Sequence, residues 1–212
     1  MENALDNYVV YGLGNNIPFL RSVYRNKNFR TGNYSTKFIG QEYPDGFKGV
    51  QLSKAETNRL IATTALMHYQ RKEQSLSAHD DDDDDHIIYD KNIIILDDSK
   101  QAYEVVVTND EDDDYAVHIL PLLSSQSSSS PKPETVTLSS FDWDSEEPLA
   151  YVSFKDTSSS SSPEISVQYE GRNLNTYNIR FYGSQHSVSV RSHREVSSLS
   201  LLLLSLLLLS TS

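Results

Sequence analysis

Two periods of apolar residues divide the chain. In the first third they recur at helical spacing. Phe19, Leu20, Val23 and Tyr24 line one face of a helix that Asn16 is placed to cap. Tyr8–Tyr11 is a short strand-like run ending at Gly12. Gly32-Asn33 and Pro44-Asp45-Gly46 are turns, because Pro presets φ and Gly allows φ > 0. Ser53-Lys54-Ala55-Glu56 forms a capping box, in which the Ser hydroxyl accepts from the Glu56 N–H and the Glu carboxylate reaches back. A helix is predicted from there to about Glu73, with Leu60, Ile61, Ala65, Leu66 and Tyr69 as its apolar stripe.

From His86 onward the period becomes 2. Ile165-Val167-Tyr169, Tyr177-Ile179-Phe181 and Val188-Val190 alternate with polar neighbours. Similar signals lie at Ile93–Leu96, Tyr103–Thr108, Tyr115–Leu120, Thr135–Leu138 and Tyr151–Phe154. Short strands at this density predict an antiparallel meander, closed or nearly so, with helix 54–73 packed against or through it. The fold class is therefore α+β: a small helical and strand remnant, then a long helix with a β-barrel-like domain over His86–Arg191. Asp80–Asp85 falls between helix and first strand; Asp110–Asp114, Ser127–Ser130 and Ser158–Ser162 fall at hairpin tips. Loop closure entropy grows only logarithmically with length, so a barrel can carry such insertions.

Composition narrows the function. A formal net charge of -12 makes polyphosphate a poor partner, and no cluster of Lys and Arg suits nucleic acid. The absence of Cys excludes disulfides, thiolate catalysis and Cys-ligated zinc. His79 and His86 bracket the Asp run, but such a run lacks the fixed geometry that selects a metal and reads as a solvated loop. Gly12-Leu13-Gly14 lacks the rest of a phosphate loop. No nucleophile elbow frames the many Ser, His and Asp residues. Phe141 and Trp143 read as barrel core or end plug rather than as a partner anchor. Leu199–Leu209 is shorter than the roughly 17 residues a membrane span requires. The acidic, mixed start Met1–Asp6 is neither a secretory signal nor an Arg-rich transit peptide.

Several runs resemble a known family. Ala4-Leu5-Asp6-Asn7-Tyr8, Gly12, Asn16-Ile17-Pro18-Phe19-Leu20-Arg21, Phe29, Gly32 and Ser35-Thr36-Lys37-Phe38-Ile39 resemble the end of the biotin carboxylase domain in biotin-dependent acyl-CoA carboxylases. Tyr43-Pro44-Asp45-Gly46-Phe47-Lys48-Gly49, leading into a long helix, is similar to the propionyl-CoA and related alpha subunits. Phe141-Asp142-Trp143 with Pro148-Leu149, and Ile179-Arg180-Phe181-Tyr182-Gly183 with Val188-Ser189-Val190, resemble the small bridging (BT) domain that follows in those subunits.

The resemblance implies three regions: 1–50 as the incomplete end of a biotin carboxylase domain, 51–192 as the bridging domain, and 193–212 as a low-complexity Leu/Ser tail. It implies a non-catalytic piece joining biotin carboxylase and carboxyltransferase components of an enzyme that carboxylates propionyl-CoA to methylmalonyl-CoA. That enzyme uses ATP, bicarbonate, biotin and a divalent metal, in the mitochondrial matrix if eukaryotic. The implied partners are the carboxyltransferase (beta) subunit and the remainder of the biotin carboxylase subunit, with neither nucleic acid nor membrane. The family's ATP-grasp motifs would precede Met1. Its biotinyl lysine lies in Ala-Met-Lys-Met, whereas Met67 here is followed by His68. No catalytic, cofactor-binding or metal-binding residue is therefore expected in this chain, and it is expected to be inactive alone. The alternatives are a complementing part of a split carboxylase and an unrelated tail-tethered β module.

Overall fold

The computed structural model describes residues 1–10, 14–77, 90–109, 114–122, 132–145, 147–155 and 164–192. Four short helices come first: α1 (Glu2–Asp6), α2 (Ile17–Arg25), α3 (Lys27–Arg30) and α4 (Phe38–Glu42). The long α5 (Lys54–Ser77) follows. The strands are β1 (Asp90–Leu96), β2 (Gln101–Asn109), β3 (Tyr115–Pro121), β4 (Glu134–Asp142), β5 (Leu149–Phe154), β6 (Glu164–Asn173), β7 (Thr176–Phe181) and β8 (Ser184–Ser192). Each overlaps one of the eight runs of alternating residues. Consecutive strands pair antiparallel, and β8 closes on β1 with Ile94 opposite Val190.

Helix α5 passes through the barrel. The capping box forms as expected: the Ser53 N–H donates to Glu56 Oε2 at 2.8 Å, and the Glu56 N–H donates to Ser53 Oγ at 3.3 Å. Every residue from Leu60 to Met67 is buried, so the expected one-sided stripe is replaced by burial all round. Thr63 and Thr64 survive inside because their hydroxyls donate back to the Arg59 and Leu60 carbonyls at 2.8 Å.

Eight strands can hold a helix because they tilt steeply. Followed once around the barrel, the register returns to β1 displaced by about 16 residues, twice the strand number, which implies a radius of roughly 10 Å. The wall is lined mostly by medium and small side chains, among them Val105, Val107, Val117, Ala150, Val152, Val167, Val188 and Val190. They leave space for a cylinder of about 10 Å with its side chains. A bulge between Leu138 and Ser140 lets both Leu138 and Phe141 pack toward this core.

The first segment departs from expectation. Tyr8–Val10 is not a strand, and Tyr11 lies outside the described residues. Asn16 is the N-cap residue of α2, as expected, but its side chain makes no cap bond; Asn15 Oδ1 instead accepts the Ile17 N–H at 3.1 Å. The buried residues of α2 are Ile17, Arg21 and Val23, while Leu20 is exposed. Rings of Phe19, Tyr24, Phe29, Tyr34, Phe38, Tyr43 and Phe47 form a connected aromatic cluster. The expected turns hold, with Gly32 and Gly46 at φ 74 and 76.

Candidate functional site

The features that can do something lie on the outside of this filled barrel. One is the junction where the first helices meet it. The turn between β7 and β8 is Tyr182-Gly183, both at positive φ. Two guanidinium groups lie over the Tyr182 ring, Arg21 at 5.1 Å and Arg25 at 5.3 Å from its centroid. Arg59 from α5 donates to its hydroxyl at 3.4 Å. Arg21, only 4% exposed, is held by Asp6 through a paired fork, Nε to Oδ1 at 2.6 Å and Nη2 to Oδ2 at 2.9 Å. Arg25 also meets Glu2 at 3.7 Å and Glu56 at 3.4 Å. A Cβ on Gly183 would lie 2.7 Å from Arg21 Cδ, so glycine permits the close approach.

Gln168 of β6 adds the second fastening. It is buried on the outer face, and its Nε2 donates to the Asp6 carbonyl at 2.7 Å and the Tyr8 carbonyl at 3.3 Å. The chain near Tyr8 has its carbonyls satisfied by a barrel side chain.

Both ends of the buried part of α5 are tied to strands. Near its start, Lys54 pairs with Glu134 of β4, and Asn58 Nδ2 donates to the same carboxylate at 2.5 Å. Lys54, then Asn58, hold the Glu134 carboxyl below its ordinary range against the opposing effect of burial. Towards the other end, His68 Nδ1 meets the Tyr177 hydroxyl at 3.1 Å, and Arg71 donates to Tyr169 at 3.2 Å. Burial pushes the Tyr177 phenol up, so it stays neutral across the physiological range.

Trp143 is core, as expected: it is 6% exposed, donates to the Glu147 carbonyl at 3.1 Å and packs edge-on to Tyr169. Met67 is wholly buried inside the barrel, and His68 follows it there. An acceptor of biotin has to be accessible, so this stretch does not fit the group. Among the described residues no three His, Asp or Glu side chains group to hold a metal. His79, His86, Gly12-Leu13, the Asp80–Asp85 run, the Ser tracts and the Leu/Ser tail lie outside the described residues. No described helix is long and apolar enough to cross a membrane.

Sequence reasoning missed the junction. Arg21 lies in the run Asn16–Arg21 with no role that its sequence context assigns, and Gln168 reads as an outward polar residue. The available signal was an aromatic-glycine pair, Tyr182-Gly183, between two strand-like runs.

Comparison with known proteins agrees with this architecture. The family model described as the propionyl-coenzyme A carboxylase BT domain matches residues 60–203. Among curated proteins, the mitochondrial propionyl-CoA carboxylase alpha chain of Mus musculus is 55% identical over 62 residues, 29% of this chain and 9% of that one. The human counterpart is 47% identical over 76 residues, 35% of this chain and 10% of that one. The alpha chain of Ruegeria pomeroyi is 44% identical over 68 residues, 32% and 10% of the two chains. The chain spans about a tenth of the length of these relatives. The matched span holds most of the threading helix and all eight strands that enclose it, and on that ground the chain belongs to the propionyl-CoA carboxylase BT-domain family.

Proposed function

We propose that the chain is a non-catalytic bridging module of an acyl-CoA carboxylase alpha subunit, holding biotin carboxylase and carboxyltransferase components in register. The observation that carries this reading is the filled barrel. A barrel whose interior is occupied by its own helix offers its outer face and hairpin tips to partners rather than an internal cavity to a ligand. Residues 1–50 would be the end of a biotin carboxylase domain and 51–192 the bridge, with 193–212 a low-complexity tail. The fork of Asp6 on Arg21 and the Tyr182 stack would fix the angle between carboxylase and bridge.

In the complete assembly, ATP, bicarbonate, a divalent metal and biotin would supply the carboxylation, and propionyl-CoA would receive the carboxyl group. The partners would be the carboxyltransferase beta subunit and the rest of the biotin carboxylase subunit, in the mitochondrial matrix, a reading supported by the animal relatives' names, which give a mitochondrial protein. A complementing role in a split enzyme is the second reading, favoured by the first helices being docked on the barrel within this one chain. The test is analytical ultracentrifugation of the purified chain with a propionyl-CoA carboxylase beta subunit. A co-sedimenting species is expected; two independent species at micromolar concentrations would refute the bridging role.

A further inference from the structure

The outer face of the barrel changes character around its circumference. Outward positions on β4, β6, β7 and β8 are polar, among them Thr135, Ser139, Ser166, Asn178, Ser187 and Ser189. Across β1, β2 and β3 apolar residues take their place. Ile95 of β1 lies opposite Ala102 of β2, and the Leu122 N–H just past β3 donates to the Ala102 carbonyl at 2.9 Å. These three residues make one apolar row, and Leu120 follows in the next, opposite Glu104. The Glu104 carboxylate is answered on the same face by Lys91 Nζ at 2.9 Å. Ile95, Ala102 and Leu120 are half-buried, and Leu122 is 40% exposed.

The chain leaves the barrel beside this face. β8 ends at Ser192, and its outward residues Ser189 and Arg191 lie opposite Ile95 and Ile93. His193–Ser198 follow, and then Leu199–Leu209, with nine Leu in eleven residues. A run of that composition lowers its free energy by leaving water. The barrel is closed, so no strand edge is open to pair with it, and burial on this molecule has to come through side chains on a face. The six residues before Leu199 can reach about 20 Å at about 3.3 Å each. The three strand spacings from β8 to β3 come to about 14 Å at about 4.8 Å each. The family match runs to residue 203, so the domain continues past its last strand into this segment. A segment tethered at the rim of the face acts at an effective concentration of about a millimolar, which a separate apolar partner would have to exceed.

We infer that Leu199–Leu209 folds back as the cover of the outer face of β1–β3, within its own chain. The inference is independent of the bridging reading.

The chain has no Cys, so pairs of introduced thiols report on this contact without background. Full-length chain carrying Leu122→Cys and Leu204→Cys is treated when dilute with a short bis-maleimide, and the products are read by mass spectrometry. The control carries Glu164→Cys and Leu204→Cys, because Glu164 is exposed on β6, across the barrel. The Leu122 pair is expected to give at least about tenfold more intramolecular product than the control, in keeping with the effective concentration of a seated segment. Adding Ile95→Thr keeps a β-branched residue in the strand and removes part of the apolar row. It is expected to lower that yield about threefold or more while the melting temperature stays within a few degrees, since truncation at a half-exposed contact weakens docking more than folding. Equal yields from the two pairs overturn the inference. So does a Leu122 yield that Ile95→Thr leaves unchanged, or a product found only between chains, which would assign the Leu-rich segment to a second copy.

Discussion

Leu66 tests whether helix and barrel are one folding unit. It is 0% exposed, inside the barrel, among residues whose neighbours on every side are strands or helix. Leu66→Ala removes its outer methyl groups and leaves a cavity that a closed barrel cannot collapse around. Such changes cost about 3–5 kcal/mol. For a chain of this size, about 1 kcal/mol moves the melting point by about 2–4 °C, so a drop of roughly 10 °C is expected. Leu66→Asp loses the same packing and adds an unpaired carboxyl. Whole-domain stabilities are commonly about 5–15 kcal/mol, so this variant is expected to be largely unfolded at neutral pH. Burial raises the pKa of such a carboxyl, so the folded state binds its proton more tightly than the unfolded state does. Its deficit is therefore smallest below the ordinary carboxylate value near about 4 and grows as pH rises through the raised value. The assay uses two probes: circular dichroism at 222 nm follows α5, and fluorescence of the single Trp143, on the loop after β4, follows the barrel. Both should shift together. A Trp143 transition unmoved by Leu66→Ala would show that the helix is not part of the barrel core.

Gly183→Ala places a methyl group against Arg21 at a backbone φ of 83 and should lower the melting point by several degrees. Hydrogen exchange of residues 14–50 should accelerate in that variant, and unchanged protection would show that the Tyr182 turn does not hold the first helices. Ser53→Ala should cost about 1 kcal/mol by opening the capping box, read as a lower denaturant midpoint with unchanged slope. Glu134 is held below its ordinary range by Lys54, so its contribution is present above about pH 4.3 and is lost as pH falls through the lowered value. Glu134→Gln should flatten the fall in melting temperature over that acidic window, and an unaltered profile would exclude the pair as a source of stability. Incubated with a biotin ligase, biotin and ATP, the purified chain should give no avidin-reactive band at 24.0 kDa.

The barrel was largely legible because its strands obey the period of their pleat. Tyr177, Ile179 and Phe181 are buried and Asn178 and Arg180 less so, as alternation demands. Helix α5 was legible as a helix but not as a threaded one. Thr63 and Thr64 lie off the apolar stripe, and only a partner enclosing the whole circumference turns them into core. The first segment was the least legible. Tyr8–Val10 has the composition of a strand, but no described strand pairs with its backbone, and the Gln168 side chain of β6 takes the Asp6 and Tyr8 carbonyls instead. Nothing local distinguishes that Gln from a solvated one.

The ladder between β1 and β8 has a consequence for how the domain forms. It joins Ile94 to Val190, residues far apart in sequence, so the last seam carries a large loop-closure cost and contributes to slow folding. During synthesis the threaded helix emerges before any strand, which makes its apolar surface available as a template while the hairpins are added in order. A ribosome-bound chain ending before Ser184 would hold an open seven-stranded sheet with two unpaired edges and a partly uncovered α5. Such a chain is a natural substrate for chaperones until β8 seals it.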